Sequence, residues 1–380
     1  MSEQQTVLFE ELPAVNNKKV AVATLNAEKS LNALSVTMIE RLQTQLSRWE
    51  VDAKVACVVL QGAGDRAFCA GGDVVALFNA ATGYEADNAE KAAACDVATQ
   101  FFSAEYRLDY SIHTFSKPLL VWGHGIVMGG GIGLLSGASH RVVTEATRMA
   151  MPEVTIGLYP DVGASWFLNR APGRSGIFLG ITGAPLNAAD AKFIGLGDCF
   201  IPNSEKAKVL EALAAAAWGN AAVANRGLMT HILRAFERAA IDRQPPGQVS
   251  GHLDWINDIC DADSTEEIVA RVCGYRGEDK WILKATKGLL NGCPVTPYLV
   301  VEQLRRGRHL SLADVFRMEL IMSVNCVMRG HFREGVRALL IDKDNAPRWQ
   351  PSRVGDVNPE EVEAFFTAPW GGAEHPLADL

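Results

Sequence analysis

The chain has 380 residues, of which 48% are hydrophobic, so it can bury a large core in one or two domains. Its formal net charge of -8 argues against a general nucleic-acid-binding surface, and we expect no nucleic-acid partner. Because no run of about 18 uninterrupted apolar residues occurs, we expect no membrane-spanning segment and no membrane partner.

Cysteine usage and the N-terminus bear on the cellular compartment. The eight cysteines are scattered without a C-x-x-C pair, which predicts neither a zinc site nor a redox dithiol, so we expect no bound metal. Reduced thiols are typical of cytosolic proteins. Met1–Gln5 lacks the basic and then apolar pattern of a secretory signal, and it carries an acid where an import peptide would carry arginines. The sequence therefore predicts a cytoplasmic location.

The first half of the chain alternates predicted strands and helices. Ser35 is the predicted N-cap of a helix, because apolar residues follow it at helical spacing. The predicted helices are this one, Ser35–Trp49, and a long one at Glu90–Tyr110. The predicted strands are, in chain order, Lys19–Leu25, Val55–Leu60, Pro118–Gly123, Arg141–Thr144 and Arg148–Ala150.

From about Ala184 the pattern becomes mainly helical. The alanine-rich stretch from 212 to 224 should be helical, and Pro245-Pro246-Gly247 marks a break between helices. We expect residues 1–203 to form an α/β core and residues 204–380 to form a mainly helical region packed on it.

Two glycine-rich turns each follow a predicted strand and precede a predicted helix, at Ala67–Asp73 and Val127–Gly133. Glycine at a helix N-terminus exposes backbone N–H groups to a ligand, so two such turns could share one oxyanion. Neither turn fits a dinucleotide or P-loop motif, which disfavours phosphate cradling. The alternative is that each turn is a structural bend without a ligand.

The segment Met151–Gly163 sets Glu153 and Asp161 eight positions apart in an otherwise apolar run. Burial of a carboxylate in apolar surroundings raises its pKa, which suits a group that exchanges protons or attacks an acyl carbon near neutral pH. The alternative is an exposed loop with two solvated acids, since Pro152 and Pro160 mark turns.

These segments carry a specific resemblance. The motifs A-F-C-A-G-G-D, G-I-V-M-G-G-G-I-G and M-P-E-V-T-I-G-L-Y-P-D-V-G resemble the crotonase superfamily of acyl-CoA enzymes in order and spacing. Within the superfamily the chain is most similar to the hydrolase branch, whose members cleave 3-hydroxyisobutyryl-CoA. That narrower similarity adds Glu105-Tyr106, Met328–His331 and Phe332–Asp344, so it extends over nearly the whole chain.

The resemblance implies an α/β fold of repeated β-β-α units with a helical C-terminal extension, and an acyl-CoA thioester bound at the glycine turns. By this similarity the backbone N–H groups of Gly72 and Gly130 form an oxyanion hole. The backbone around Ala70 contacts the adenine end of CoA, and Glu105 accepts a hydrogen bond from a hydroxyl on the acyl chain. Asp73 is a helix cap. No cofactor is implied, because CoA is part of the substrate.

The resemblance also bears on the reaction. Hydratases of the superfamily use two glutamates, and the position of the first is occupied here by Gly133, which cannot activate water. Glu153 and Asp161 remain, which is the pattern of the hydrolase branch. There Glu153 either attacks the thioester or acts as general base for water, and Asp161 positions the reacting groups. The implied reaction is hydrolysis of a short 3-hydroxyacyl-CoA in valine catabolism.

Three readings therefore stay open: this hydrolase, an enoyl-CoA hydratase or isomerase, and a non-catalytic protein that binds acyl-CoA or RNA. His124 precedes the second glycine turn, where a structural, hydrogen-bonded histidine is the expected role rather than a base. Superfamily relatives form trimers and hexamers, so self-association into a homo-oligomer is also compatible with the resemblance.

Overall fold

The computed structural model describes residues 6–80 and 88–380, so the N-terminal prediction for Met1–Gln5 lies outside the described residues. The chain divides into two compact units. Unit 1 comprises Met1–Gly72, Arg107–Met149 and Leu186–Ser250, and unit 2 comprises Asp73–Tyr106, Ala150–Pro185 and Gly251–Leu380. This division differs from the boundary expected near residue 203, since each unit combines segments from both sides of it.

The strands of the described residues are β1 (Val7–Ala14), β2 (Lys18–Leu25), β3 (Val55–Gly62), β4 (Ala67–Cys69), β5 (Leu119–Gly123), β6 (Ile126–Met128), β7 (His140–Val143), β8 (Arg148–Ala150) and β9 (Cys199–Phe200). The helices are α1 (Val36–Val51), α2 (Val74–Ala80), α3 (Asn88–His113), α4 (Gly130–Ser136), α5 (Ala164–Phe167), α6 (Ser175–Thr182), α7 (Ala188–Phe193), α8 (Lys206–Ala214), α9 (Ala222–Arg238), α10 (Gln248–Gly251), α11 (Leu253–Ile259), α12 (Thr265–Cys273), α13 (Lys280–Asn291), α14 (Thr296–Gly307), α15 (Leu312–Met328), α16 (His331–Val336) and α17 (Pro359–Ala364).

Two sheets organise the first half of the chain. A six-stranded sheet has the order β1-β2-β3-β5-β7-β9, antiparallel at β1 and β2 and parallel elsewhere. A three-stranded sheet has the order β4-β6-β8. In chain order, a strand of the large sheet is followed by one of the small sheet and then by a helix, as in β3-β4-α2 and β5-β6-α4. The expected α/β class with repeated β-β-α units is therefore confirmed.

The core of unit 1 lies on one face of the six-stranded sheet. Val20, Val59 and Trp122 from the strands are buried in one cluster with Leu213 from α8 and Leu233 from α9. Strands buried on both faces are rich in β-branched and aliphatic residues, as here, because no face needs polar side chains. Removal of this apolar area from water is the main free-energy gain that holds α8 and α9 on the sheet.

Local signals located several elements accurately. The Ser35 hydroxyl accepts from the backbone N–H of Met38 at 3.3 Å and caps α1, as predicted. The alanine-rich stretch is interrupted instead of being continuously helical, because α8 ends at Ala214 and α9 begins at Ala222. Between them the buried Trp218 indole donates to the Leu213 carbonyl at 2.7 Å. Burial of this large ring therefore outweighs the helix propensity of alanine.

Unit 2 is mainly helical. Helices α13 and α14 pack on α6, and α15 packs on α5 and α16. A 3-10 helix, Glu153–Ile156, follows β8 and packs against α16. None of the helices formed by residues 6–80 and 88–380 combines the length and the apolar character that crossing a bilayer requires.

Candidate functional site

The two glycine turns lie side by side in unit 1. β4 and β6 pair in parallel, so their carboxyl ends meet at the same edge of the small sheet. Gly71 has φ +110°, and a Cβ on it would lie 3.9 Å from the Gly130 nitrogen. A Cβ on Gly131 would lie only 2.4 Å from the Cys69 carbonyl oxygen, so any side chain there would force the turns apart. The positive φ angle explains glycine at Gly71, and the close approach of the two turns explains glycine at Gly131.

Gly130 is the first residue of α4, so the helix itself provides no acceptor for its backbone N–H. Gly72 lies three residues after β4 and pairs with Leu34 in an isolated parallel bridge. Ala70, in the same turn, donates its backbone N–H to the Leu31 carbonyl at 3.0 Å. Local structure therefore fixes the three predicted backbone positions, and their roles toward a ligand stay predictions.

Two other residues of these segments have structural roles, as expected. The Asp73 carboxylate accepts from the Ala76 N–H at 3.1 Å and caps α2. His124 is fully buried, and its Nε2 lies 2.9 Å from the Gly64 carbonyl oxygen. Burial lowers the pKa of His124 and keeps the ring neutral, so Nε2–H donates to Gly64.

Glu153 begins the 3-10 helix that follows β8 and is only 5% exposed. This 3-10 helix ends at Gly157, which lies in the left-handed region with φ +67°. The Gly157 N–H donates to the Glu153 carbonyl. A Cβ on Gly157 would lie 2.2 Å from the His331 carbonyl oxygen of α16. Glycine is therefore needed here both for the backbone conformation and for the approach of the C-terminal region.

The C-terminal region of the chain encloses the turn that carries Glu153. The Cys293 N–H donates to the Val154 carbonyl at 2.8 Å. Gly335 packs so closely on Ile156 that an added Cβ would lie 2.4 Å from its carbonyl carbon. Backbone from two distant segments thus fixes the direction in which Glu153 projects.

Asp161 is held by a hydroxyl of α3. The Tyr106 hydroxyl donates to Asp161 Oδ2 at 2.7 Å, and Asp161 is only 5% exposed. Burial raises the pKa of Asp161 to about 6, although the hydrogen bond from Tyr106 acts in the opposite direction by favouring the charged form.

Glu105 precedes Tyr106 on α3 and is 3% exposed. Burial raises the pKa of Glu105 well above its usual value, and the charge of Asp161 raises it further. Burial likewise raises the pKa of Glu153, with smaller contributions from the charges of Asp161 and Glu105. The structure therefore brings the three predicted carboxylates into one electrostatic cluster, and the alternative of an exposed acidic loop is wrong.

Two oxygens of this cluster have no hydrogen-bond partner among the described residues, namely Glu105 Oε1 and Glu153 Oε2. A buried acceptor without a partner costs free energy unless a ligand satisfies it. Carboxyl groups that disfavour one another's charge lose their protons at separate pH values, so one of them stays protonated where another is already ionised. The cluster can therefore accept a proton at one carboxylate while another stays ionised, which is the requirement of acid–base or nucleophilic chemistry.

Sequence reasoning missed the contribution of α15. Glu319 and Ser323 are fully buried on this helix and contact the segment around Asp161. A signal was present, because both residues occupy the same helical stripe as the buried Val315, Phe316 and Leu320. Within residues 6–80 and 88–380, no group of three or more His, Cys, Asp or Glu side chains is arranged to hold a metal ion.

A basic cavity of about 470 Å³ lies close to the Glu153 turn in unit 2. Its lining includes Gly330 and His331, which begin α16, and Phe78 of α2. The charged residues of the lining are four arginines and two carboxylates, namely Arg329, Arg333, Arg337, Arg348, Glu334 and Asp342. Arg337 is paired with both carboxylates and with Asp344, so the positive charge that favours an anionic ligand comes from Arg329 and Arg348.

The chain matches the family model described as enoyl-CoA hydratase/isomerase over residues 20–366. It is 37% identical over 369 residues to "3-hydroxyisobutyryl-CoA hydrolase, mitochondrial" of Danio rerio, covering 95% of this chain and 89% of that protein. It is 38% identical over 351 residues to the protein of the same name from Gallus gallus, covering 91% and 86%.

Two solved structures agree over almost the full length. A carnitinyl-CoA dehydratase from Mycobacterium thermoresistibile has a TM-score of 0.81 at 33% identity and covers 96% of both chains. An enoyl-CoA hydratase from Rhodobacter sphaeroides 2.4.1 has a TM-score of 0.80 at 31% identity and covers 96% of this chain and 98% of its own. These similarities confirm the crotonase-like fold expected from the motifs.

Proposed function

Because this chain belongs to the enoyl-CoA hydratase/isomerase family, we propose that it hydrolyses the thioester of a short 3-hydroxyacyl-CoA, with 3-hydroxyisobutyryl-CoA as the foremost substrate. The observation that carries this proposal is the buried cluster in which Glu153 and Glu105 each keep one oxygen without a partner among the described residues. Production of 3-hydroxyisobutyrate and CoA would place the protein in valine catabolism.

In the proposed reaction Glu153 acts on the thioester carbonyl. As a nucleophile, its carboxylate oxygen adds to the carbonyl carbon, the C–S bond breaks, and the CoA thiolate leaves and takes a proton. Water then cleaves the mixed anhydride. As a general base, Glu153 removes a proton from the water that adds to the same carbon. Burial raises the pKa of Glu153, which makes its carboxylate a stronger base than a solvated glutamate and supports the second route.

The proposal assigns the oxyanion to the backbone N–H groups of Gly72 and Gly130. Support comes from the close approach of the two glycine turns, since a Cβ on Gly71 would lie 3.9 Å from the Gly130 nitrogen. Donors fixed in place before the reaction stabilise charge that develops only in the transition state, and loss of one typically costs about 3 kcal/mol.

The basic cavity supports the acyl-CoA assignment, because CoA carries phosphates. It borders the start of α16, whose His331 carbonyl abuts Gly157 at the end of the Glu153 turn. Arginine suits phosphate through paired N–H donors. The proposed contact of the backbone around Ala70 with the adenine end belongs to the same assignment, and no separate cofactor is required.

Release of CoA from 3-hydroxyisobutyryl-CoA tests the reaction class. The purified protein should liberate free thiol from this substrate and leave crotonyl-CoA unhydrated over the same period, because Gly133 stands where the hydratase branch has a glutamate. Thiol release and enoyl absorbance are followed in parallel. Rapid hydration of crotonyl-CoA without thiol release would make the hydratase assignment correct.

The similarity to two solved structures, a carnitinyl-CoA dehydratase and an enoyl-CoA hydratase, supports the hydratase alternative. Asp161 is the residue that could serve as the second acid of such a reaction. The non-catalytic alternative predicts binding of acyl-CoA, or of RNA, with neither substrate altered.

Glu105 should select for the hydroxyl group of the substrate. Glu105→Ala should lower kcat/KM for 3-hydroxyisobutyryl-CoA about tenfold more than for isobutyryl-CoA, because only the former loses a hydrogen bond. Steady-state kinetics on both thioesters measure the difference. Equal losses on the two substrates would instead assign Glu105 to the structure of the cluster.

A cytoplasmic location and self-association into a homo-oligomer both stay predictions. The curated relatives from Danio rerio and Gallus gallus carry "mitochondrial" in their names. Fractionation of the source cells tests the location, and light scattering of the purified protein measures the oligomeric state.

A further inference from the structure

Helix α15 carries a buried carboxylate that has no role in the proposed chemistry. Glu319 is fully buried, and its two oxygens accept from two backbone donors, Gly163 in the loop after Asp161 and Ser165 in the first turn of α5. Oε2 accepts from the Gly163 N–H at 2.7 Å, and Oε1 accepts from the Ser165 N–H at 2.8 Å. The side chain therefore bridges the loop that directly follows Asp161.

That loop has an unfavourable backbone conformation beside Asp161. Val162 lies in the left-handed region with φ +53°, and Gly163 follows with φ +88°. A β-branched residue rarely adopts this conformation, which persists only where the surroundings hold it. The Ala164 N–H donates to the Asp161 carbonyl at 2.9 Å across this turn. The Glu319 carboxylate holds the turn from outside, because it accepts from the backbone one and three residues after Val162.

A chain of hydroxyl groups joins the same helix to the Asp161 side chain. The Tyr159 hydroxyl donates to the Glu319 carbonyl at 2.7 Å and lies 2.9 Å from Ser323 Oγ. Ser323 Oγ lies 2.7 Å from the Tyr106 oxygen, and Tyr106 donates to Asp161 Oδ2 at 2.7 Å. Each tyrosine hydroxyl has one proton to donate, which fixes the direction of the hydrogen bonds at both ends of this row of hydroxyl groups. Asp161 is therefore an acceptor.

We propose that Glu319, assisted by Ser323, is a positioning residue that holds the Asp161 loop and orients the Asp161 carboxylate toward the reacting groups. The proposal rests on the proposed function, because it assigns no reaction of its own. The Glu319 carboxylate accepts from Gly163 and Ser165 of the segment after Asp161, so it acts on the substrate through Asp161.

The variant Glu319→Gln tests this role with little change in volume. Burial raises the pKa of Glu319 to about 8, so a neutral side chain is tolerated there. An amide offers one acceptor, however, and its NH₂ group opposes the second backbone N–H. We expect kcat to fall about 10- to 100-fold while KM changes less than about threefold, since displacement of a positioned group slows the chemical step.

A double-mutant cycle with Asp161→Asn separates positioning from general damage. If Glu319 acts through Asp161, Glu319→Gln should change kcat less than about twofold in the Asp161→Asn background. Met322→Leu, another fully buried change on α15, is the packing control and should leave kcat near the wild-type value. Ser323→Ala serves as the second variant if Glu319→Gln does not fold, and should show the same dependence on Asp161.

The outcomes separate this proposal from the proposed function. If the wild type releases CoA and Glu319→Gln has the same kcat, the positioning role alone is overturned. The same holds if Glu319→Gln lowers kcat equally in the wild-type and Asp161→Asn backgrounds. If the wild type releases no CoA but hydrates crotonyl-CoA, the hydrolase assignment fails and the same cycle is measured on hydration. A wild-type protein that converts neither thioester would overturn both proposals.

Discussion

Replacement of Glu153 by glutamine should leave binding of 3-hydroxyisobutyryl-CoA nearly unchanged and lower kcat by about a thousandfold. The amide keeps the size of the side chain, and it can neither attack a carbonyl carbon nor accept a proton at neutral pH. Thiol release under saturating substrate measures kcat, and calorimetry on the inactive variant measures affinity.

Glu360→Gln is the matched control, because this glutamate is exposed on α17 in the same unit. It should retain full activity. A Glu153→Gln protein with more than about a tenth of the wild-type kcat would remove Glu153 from the chemistry.

The second large effect concerns stability and its dependence on pH. Asp161→Asn should unfold at a higher urea concentration than the wild type at pH 8, although its kcat is lower than that of the wild type. Burial raises the pKa of Asp161 from 3.8 to about 6, so the folded state binds this proton more tightly than the unfolded chain. The stability that the proton contributes is fully present below pH 3.8 and is lost as pH rises through 6.

The expected gain at pH 8 is on the order of 3 kcal/mol, because each unit of pKa shift corresponds to about 1.4 kcal/mol. Asparagine still accepts from the Tyr106 hydroxyl, so the hydrogen bond is retained. Urea unfolding of both proteins between pH 5 and pH 8 should show their stabilities diverging as pH rises. A less stable Asn variant at pH 8 would mean that the ionised carboxylate contributes more through Tyr106 than its burial costs.

The burial of three carboxylates in one cluster underlies both expected effects. Glu105, Glu153 and Asp161 are buried together, and burial raises the pKa of each. Charges held in this way destabilise the fold and provide groups that exchange protons near neutral pH. We therefore expect gains in stability and losses in activity to accompany one another at these positions.

Residue type and spacing along the chain were enough to locate the parts of the site that lie within short segments. The glycine turns were evident because glycine repeats immediately after predicted strands, and the structure places them at the paired ends of β4 and β6. Glu153 and Asp161 stood out because carboxylates are rare in an apolar run. These features are local in the chain, so residue type and spacing are sufficient to reveal them.

The surroundings of those groups depend on contacts between segments that are far apart in the chain. The contacts of Glu319 with Gly163 and Ser165 join residues 156 and 154 positions apart, and the contact between Tyr106 and Ser323 joins residues 217 positions apart. Local sequence patterns do not indicate which buried polar side chain hydrogen-bonds to which loop, because that depends on how the helices pack. The same reason applies to Gly157, whose lack of a side chain is required by its own φ angle and by a carbonyl oxygen from His331 of α16.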